Sequence, residues 1–550
     1  MSRPVTPIRR RTLLAGAALA PSALLMGCAP EAKRVYEGGW IGAQVERGHR
    51  LRDRKAAALP EPELQKRAGA IVLGAGVAGL GAARALSRAG IDDVRVFDLE
   101  DVAGGNSRGH TIAGMSCPLG AHYLPVPGEQ AVEVIELLET LGLRRTEHGE
   151  AVYDERTLCH SPQERINIGG YWHEGLLPPV GALPAGERVD TLAQYRKFSE
   201  LVGAQSRGAF SIPTARSRWS PQLDALDRIA FAPWLEAQGL TAPGLRWYLD
   251  YCCRDDYGAG AAQVSAWAGL HYFASRHGFH APGDAPDDRD GVLTWPEGNA
   301  WLSRQLAAPL GERIQTGMVA LRVSEGRHDV SVDLWNARAG RAERWTAAQV
   351  VLAMPLFISA RVLAVPNDAL QECVGRMHHA PWLVGNLHLE DALDDKPGAP
   401  PSWDNVVYEA GPAGAMLGYV DAMHQSTRAV PGPTILTSYW ALGGDTPEQA
   451  GAQRARLLNE PWQAWAAAIV QDLARVHPDL PHKVKRIDLM RYGHAMCIPS
   501  PGLRSSAALR ALAEQKGRVH FAHSDLSAYS VFEEALYHGT RAGAAARRVI

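Results

Sequence analysis

Cysteine is scarce, and it is not arranged to hold a metal. Seven cysteines occur in 550 residues, and no two form C-x-x-C. The common zinc knuckles need that spacing, so no metal site is expected. The neighbours Cys252 and Cys253 read as two small buried helix residues or, alternatively, as a redox pair. An excess of one charge is also missing. The 57 basic and 59 acidic side chains are interleaved and leave a net charge of -2. A nucleic-acid partner normally leaves a basic stripe, so none is expected. There is no G-x-S-x-G and no Ser/His/Asp signature for a hydrolase. The apolar stretch Thr12–Met26 is too short to span a bilayer comfortably.

What is present is a globular composition, 46% hydrophobic and 21% charged, in a chain longer than one ordinary core. Two or three domains are expected. The most informative stretch runs from Ala70 to Gly105. Ala70-Ile71-Val72-Leu73 suits a buried parallel strand. Gly74, Gly76 and Gly79 then form G-x-G-x-x-G, followed by helix formers from Leu80 to Leu86. Val94–Phe97 reads as the next strand, closed by Asp98. In such a unit the first glycine permits a tight turn and the second lets a pyrophosphate approach the backbone. The third lets helix and strand pack closely, and the helix N-terminus faces the phosphates. An acid about 20 residues on, here Asp98, accepts hydrogen bonds from a ribose hydroxyl. The plainer alternative is a glycine-rich turn in an ordinary βα unit.

Gly104-Gly105, just after the acid, makes the stretch resemble the FAD-dependent flavin amine oxidase and phytoene desaturase superfamily. Three blocks carry the resemblance: 70–123, 294–355 and 519–549. It implies that Gly104 and Gly105 let a loop run close to the FAD phosphates. Pro118 to Tyr123 resembles the segment that passes beside the flavin, with Gly120 and Ala121 in the matching places and Pro118 where an acid is common. Thr294 to Asn299, a helix from Ala300 to Leu310, Val319–Val323, Val330–Trp335 and Gln349–Pro355 resemble the middle block. There the residue matching Val319 bonds the adenine end of FAD through its backbone. Val519 to Asp525 resembles the strand F-A-G-x-E, with Asp525 at the acid that contacts the ribityl and pyrophosphate part and His523 in place of a glycine. The helix from Phe532 to Val549 would point its N-terminus at the pyrimidine ring, where its dipole favours anionic reduced flavin. With no cysteine in 519–549, a cysteinyl flavin link is not expected there.

The implied fold is α/β. A Rossmann-like FAD-binding domain is built from discontinuous segments and accompanies an α+β substrate domain with a helical part. The expected division is 1–28 signal, 29–67 tether, 68–150 first FAD-binding part and 151–290 helical substrate part. Then come 291–360 second FAD-binding part, 361–485 substrate sheet and helix, and 486–550 third FAD-binding part. Gly142 is expected to cap a helix from Ala131 to Leu141, and helices are expected over 192–205, 221–237, 244–253 and 261–275. Gly258-Ala259-Gly260 follows no strand and is not a second nucleotide loop. The aromatics of 219–273 read as core, or in part as a pocket lining.

The N-terminus reads as a targeting segment. Arg10-Arg11-Thr12-Leu13-Leu14 resembles a twin-arginine export signal, with Arg9 where Ser or Thr is usual. Leu25-Met26-Gly27-Cys28 resembles a lipobox with Cys28 as the lipidated residue; a plain signal cleaved nearby is the alternative. The protein is therefore expected in the periplasm or cell envelope, attached peripherally to the membrane through Cys28.

A flavin carries the redox chemistry itself, so few catalytic side chains are needed. His122, His494 and His523 lie in segments that should approach it. Tyr123, Tyr492 and Trp440 are the aromatics expected to cage a substrate. His122, Tyr123, Trp440, Tyr492 and His494 are thus the catalytic candidates, each also readable as a structural side chain. Many amine oxidases place a lysine beside the flavin, where this chain has Gly385-Asn386-Leu387. Four readings stay open. One is an exported amine-oxidase-like enzyme passing hydride from a small substrate, such as an amine, to flavin N5, with oxygen or a carrier as acceptor. The others are a desaturase or isomerase of an apolar substrate, a non-catalytic flavoprotein scaffold, and a nicotinamide-binding protein.

Overall fold

The computed structural model describes residues 35–52, 59–205, 208–276, 278–284, 291–394, 396–408, 415–428 and 430–547. The twin-arginine motif and Cys28 lie outside them. Residues up to Glu37 form one unit, and Gly38–Ile550 form a second, which carries the sheets and helices of the fold.

The first sheet of this second unit is parallel at the heart. Strands Ile314–Thr316, Val94–Asp98, Leu64–Leu73, Arg341–Leu352 and Val519–Phe521 lie side by side in that order. Parallel neighbours cannot be joined by a tight turn, and here they come from three stretches far apart in sequence. Arg341–Leu352 is long enough to serve two partners on one edge. Its first half pairs antiparallel with Val330–Asn336, and its last residues, Val350 to Leu352, pair with Val519–Phe521. On strand Val330–Asn336, residues Val330, Val332 and Leu334 are all buried. Asp333 between them is buried as well, held by Arg344 at 2.6 Å.

Helix Val77–Arg88 crosses from the first strand to the second and packs on helix Phe532–Arg547. The approach is set by glycine. A Cβ on Gly539 would stand 2.0 Å from the Ala78 carbonyl oxygen, and one on Gly543 2.5 Å from that of Ala82. Helices more than 440 residues apart in sequence therefore meet in one layer.

The second sheet has eight strands. Its middle runs Val484–Ile498, His378–Leu389, Thr434–Ala441, Met416–Asp421, Asp404–Val407, Glu164–Ile168. Helices Arg188–Gly203, Pro243–Tyr257 and Ala266–Ala274 join this sheet in one large apolar cluster. The architecture is thus the mixed α/β fold implied by the sequence.

Several elements differ from their expected extents. The single helix expected over 221–237 is two, Pro221–Asp227 and Phe231–Ala237, parted where Ala230 bridges to Ser265. Gly258, at φ +75°, is the left-handed cap that ends Pro243–Tyr257. Gly142, at φ +72°, follows Val132–Thr140 as expected. Part of the expected tether is folded: it contains helix Val45–Arg52. Trp40 lies under the Arg491 guanidinium, and Ile41 donates its amide to Leu489 at 2.9 Å. Among the described residues no helix is long and apolar enough to cross a membrane.

Candidate active site

The glycine loop forms a cradle at the end of the first parallel strand. A Cβ on Gly79 would stand 1.8 Å from the Gly74 carbonyl oxygen, so strand and helix touch through hydrogen only. Gly74 itself has φ +107°, outside the reach of most side chains. Gly76 precedes helix Val77–Arg88 with no side chain capping it, and a Cβ there would meet only the Cα of Gly105, at 3.7 Å. Open space before an uncapped helix N-terminus is what a pyrophosphate fills. The Gly104–Gly105 loop closes one side through a bridge to Gly76. Asp98 ends the second strand; it accepts the amides of Ala75 at 2.6 Å and Glu100 at 2.8 Å. These residues fit the phosphates and ribose of a dinucleotide. Val319, expected at the adenine end, is buried in strand Met318–Glu325.

Two cavities are prominent among the described residues. The larger, about 580 Å³, lies among Arg165, Asn405, Tyr419 and Arg428 and touches no residue of the glycine cradle. The smaller, about 150 Å³, is bounded by Asn106, Gly120 and Ala121 on one side and by Ser530 to Glu533, at the start of the last helix, on another. This second cavity joins the loop and helix segments that the sequence assigns to the flavin.

Its wall brings together several predicted residues. His122 and Tyr123 line it. His122 stacks on Tyr439 at 4.3 Å, and burial pushes its pKa down to about 3, so it is neutral at physiological pH. The Tyr123 hydroxyl reaches Asp255 at 3.4 Å. Tyr492 also lines the cavity and donates to the Leu119 carbonyl at 2.8 Å, while Tyr439 donates to that of Gly120 at 3.1 Å. The flavin-side segment is thereby held by two tyrosines from the second sheet.

Two predicted residues lie elsewhere. Trp440 is buried against Trp465, with ring centroids 6.3 Å apart, on the face of its strand opposite Tyr439. His494 packs on Phe357 at 4.8 Å and is off the cavity wall. Asp525 is fully buried. Its carboxylate accepts the Leu356 amide at 2.9 Å and lies 3.2 Å from His379 Nε2 and from His523 Nδ1. Burial alone would raise its pKa, but the two histidines hold it well below the usual range.

The cavity also holds residues that sequence reasoning missed: Asp255, Asp256, Arg276, Asn299, Trp382 and Glu533. Arg276 pairs with Asp256 at 3.0 Å and donates to the Tyr529 hydroxyl at 2.8 Å; that hydroxyl donates to Asp256 at 2.5 Å. Burial and the neighbouring Asp256 push Asp255 up to about 7. Burial pushes Glu533 up to about 7 as well. Among the described residues no lysine lines the cavity; strand His378–Leu389 contributes Trp382 and Val384 to its wall, and Gly385, Asn386 and Leu387 lie off it. A usable signal for Asp255 existed: an acid following aromatics at helical spacing along 243–257.

Known proteins resemble this chain at both the sequence and the fold level. It is 25% identical over 375 residues to a Mycobacterium tuberculosis protein, AofH, named as a flavin-containing monoamine oxidase. The match covers 64% of this chain and 74% of that one. Cyclohexylamine oxidase from Brevibacterium oxydans superposes with a TM-score of 0.63 at 19% identity, over 88% of this chain and 99% of that one. A fatty acid isomerase from P. acnes superposes with a TM-score of 0.59 at 16% identity, over 86% and 97%. These superpositions establish a shared fold. The family model for flavin containing amine oxidoreductase matches residues 77–550. With the glycine cradle, the discontinuous parallel sheet and the cavity between them, this match identifies the chain as an FAD-dependent oxidoreductase of the flavin containing amine oxidoreductase family.

Proposed function

We propose that this protein is an exported amine oxidase that removes two electrons from the C–H bond next to a substrate nitrogen. The observation that carries this reading is the cavity at the flavin segments, walled by His122, Tyr123, Trp382, Tyr439 and Tyr492 and carrying the carboxylate of Asp255. Aromatic faces and a carboxylate suit an ammonium group. When bound, FAD would supply the oxidant, with oxygen or an electron carrier as the final acceptor. The substrate would lose hydride from carbon and a proton from nitrogen and leave as an imine. The protein's part is to pose the substrate and exclude water. The neutral His122 ring stacks without adding a repelling charge, and Asp255, titrating near neutrality, can hold or release a proton.

In this reading Gly74, Gly76, Gly79, Gly104, Gly105 and Asp98 hold the pyrophosphate and ribose of FAD. Gly120, Ala121 and Phe532 border the flavin ring, Val319 the adenine and Asp525 the ribityl region. Arg10 and Arg11 direct twin-arginine export to the periplasm or cell envelope, and lipidated Cys28 anchors the enzyme peripherally. The missing cavity lysine supports a second reading, a desaturase or isomerase of an apolar substrate.

The deciding experiment is anaerobic addition of an amine panel to the yellow holoenzyme. Bleaching of the visible flavin band by an amine is expected. A flavin that every amine leaves oxidised would discard the amine reading in favour of the apolar one. For export, Arg10→Lys with Arg11→Lys should leave the protein in the cytoplasmic fraction; unchanged fractionation would refute the twin-arginine assignment.

A further inference from the structure

The cavity of about 580 Å³ is built on the second sheet and shares no described residue with the one at the flavin segments. Its wall carries a row of side chains laid across adjacent strands. Arg165 pairs with Asn405, and Asn405 with Tyr419, so the three share one face of Glu164–Ile168, Asp404–Val407 and Met416–Asp421. Thr434 and Leu436 line this cavity, whereas Tyr439, an odd number of places along the same strand, lines the other. Side chains alternate across a strand, so the two cavities lie on opposite faces of one sheet.

The charge on this wall is unbalanced. Arg165 is 4% exposed, and its partners are neutral. Its Nε donates to Asn405 Oδ1 at 2.6 Å and its Nη1 to the Ala399 carbonyl at 3.0 Å, and the Trp172 ring lies 4.0 Å from the guanidinium. No carboxylate among the described residues pairs with it. Arg428 lines the same cavity and donates only to the Pro433 carbonyl, at 2.8 Å. Lys396, also on the wall, stands 3.9 Å from Asp479. The two acids on the wall are already engaged: Asp394 with Lys483 at 2.5 Å, and Asp421 with the Thr434 hydroxyl and the Met423 amide.

An independent polar group is left open in the same place. His477 is 2% exposed and lines the cavity; its Nε2 meets the Tyr419 hydroxyl at 2.8 Å, and its Nδ1 has no partner among the described residues. Burial and the nearby Arg165 push its pKa down to about 4, so the ring is neutral at physiological pH. With the Tyr419 hydroxyl donating to Nε2, the ring hydrogen sits on Nδ1, a buried donor without an acceptor. A buried guanidinium without a counter-ion and a buried donor without an acceptor are both costly, and an anionic acceptor relieves both. The volume suits an organic molecule, and Leu393, Met423, Pro431 and Leu436 give it apolar walls.

We infer that this cavity binds an organic oxyanion, a carboxylate or phosphate on an apolar body, whose charged head meets Arg165 and His477 while the exposed Arg428 adds attraction from the edge. The site stands apart from the flavin and does not depend on the amine-oxidase reading.

Calorimetry on the holoenzyme with hexanoate, hexyl phosphate and, as a neutral control, 1-hexanol tests this. At least one anion should bind saturably and about tenfold or more tightly than hexanol. Arg165→Gln should weaken that anion about tenfold and the exposed Arg428→Gln about threefold, with hexanol unchanged in both. Should Arg165→Gln fail to fold, Arg428→Gln decides. The tighter of the two anions names the head group. The visible flavin band separates the cavities: an anion bound here leaves it unchanged, and one bound at the flavin shifts it. Anions that bind no more tightly than hexanol, binding that the folded variants leave unchanged, or binding that shifts the flavin band would overturn the inference.

Discussion

Replacing Asp525 tests how the last strand is tied to the rest of the FAD-binding sheet. The carboxylate is fully buried, accepts the amide of the equally buried Leu356, and lies against His379 and His523. Asp525→Ala leaves that amide and the His379 ring without their acceptor. An unsatisfied buried donor costs about 1–3 kcal/mol, and breaking a buried charge pair about 3–5 kcal/mol in all. Asp525→Asn keeps an acceptor and should lose about 1–2 kcal/mol. At about 2 °C per kcal/mol for a chain of this size, Asp525→Ala should lower Tm by roughly 5–10 °C. Tryptophan fluorescence in a thermal ramp at fixed scan rate reads the protein, and released flavin fluorescence reads the cofactor. The pH dependence has a definite sign. The native pKa lies well below the ordinary one, so the ionised carboxylate stabilises the fold fully above about pH 4. That contribution is lost as pH falls through the native value, so the gap between wild type and Asp525→Asn should narrow in acid. An Ala variant within about 1 °C of wild type, or a gap that stays constant into acid, would refute this account.

Three further outcomes are expected. Gly76→Val has room and should fold yet purify without FAD, because its side chain takes the space before the helix N-terminus, whereas Gly79→Val should fail to fold; FAD per chain and circular dichroism distinguish them. Gly539→Ala drives a Cβ into the Ala78 carbonyl and should cost about 1–3 kcal/mol in urea unfolding, while Gly451→Ala, with nothing near it inside helix Pro447–Asn459, should stabilise by about 0.5–1 kcal/mol. Asp255 has a raised native pKa of about 7, so its protonated form stabilises the fold, fully below about pH 4 and progressively less as pH rises through 7. Asp255→Asn should therefore raise Tm more at pH 8 than at pH 5, and wild-type amine binding should strengthen as pH passes 7, a dependence the variant lacks; a pH-independent Tm difference would count against it.

The strand–turn–helix unit at Ala70–Gly105 was legible in the sequence because its signals are local. Strand, glycine turn, helix, strand and acid lie within Ala70–Gly105, and each glycine answers to a backbone neighbour a few residues away or to the adjoining strand. The Ala- and Gly-rich last helix could be read the same way, one residue against its own periodicity. Even the vicinal cysteines of Pro243–Tyr257 proved to be buried helix residues, the plainer of the two readings.

The cavity beside these segments was decided elsewhere. Its wall is drawn from Asn106, His122, Asp255, Arg276, Asn299, Trp382, Tyr439, Tyr492 and Glu533, which no local pattern links. Trp440 illustrates the physical reason. Strand Thr434–Ala441 has a period of two, so Tyr439 faces the cavity and Trp440 faces Trp465, and only the pairing with its neighbours sets that phase. Asp255 carries no mark in the sequence as a carboxyl that titrates near neutrality. That property arises when the folded chain buries it beside Asp256, which also takes Arg276. Sequence alone therefore determined the fold class and the glycine turn at the end of the first parallel strand, through short-range steric rules. Tertiary packing alone decided which side chains line the cavity and with what charge, because burial and long-range pairing exist only in the folded chain.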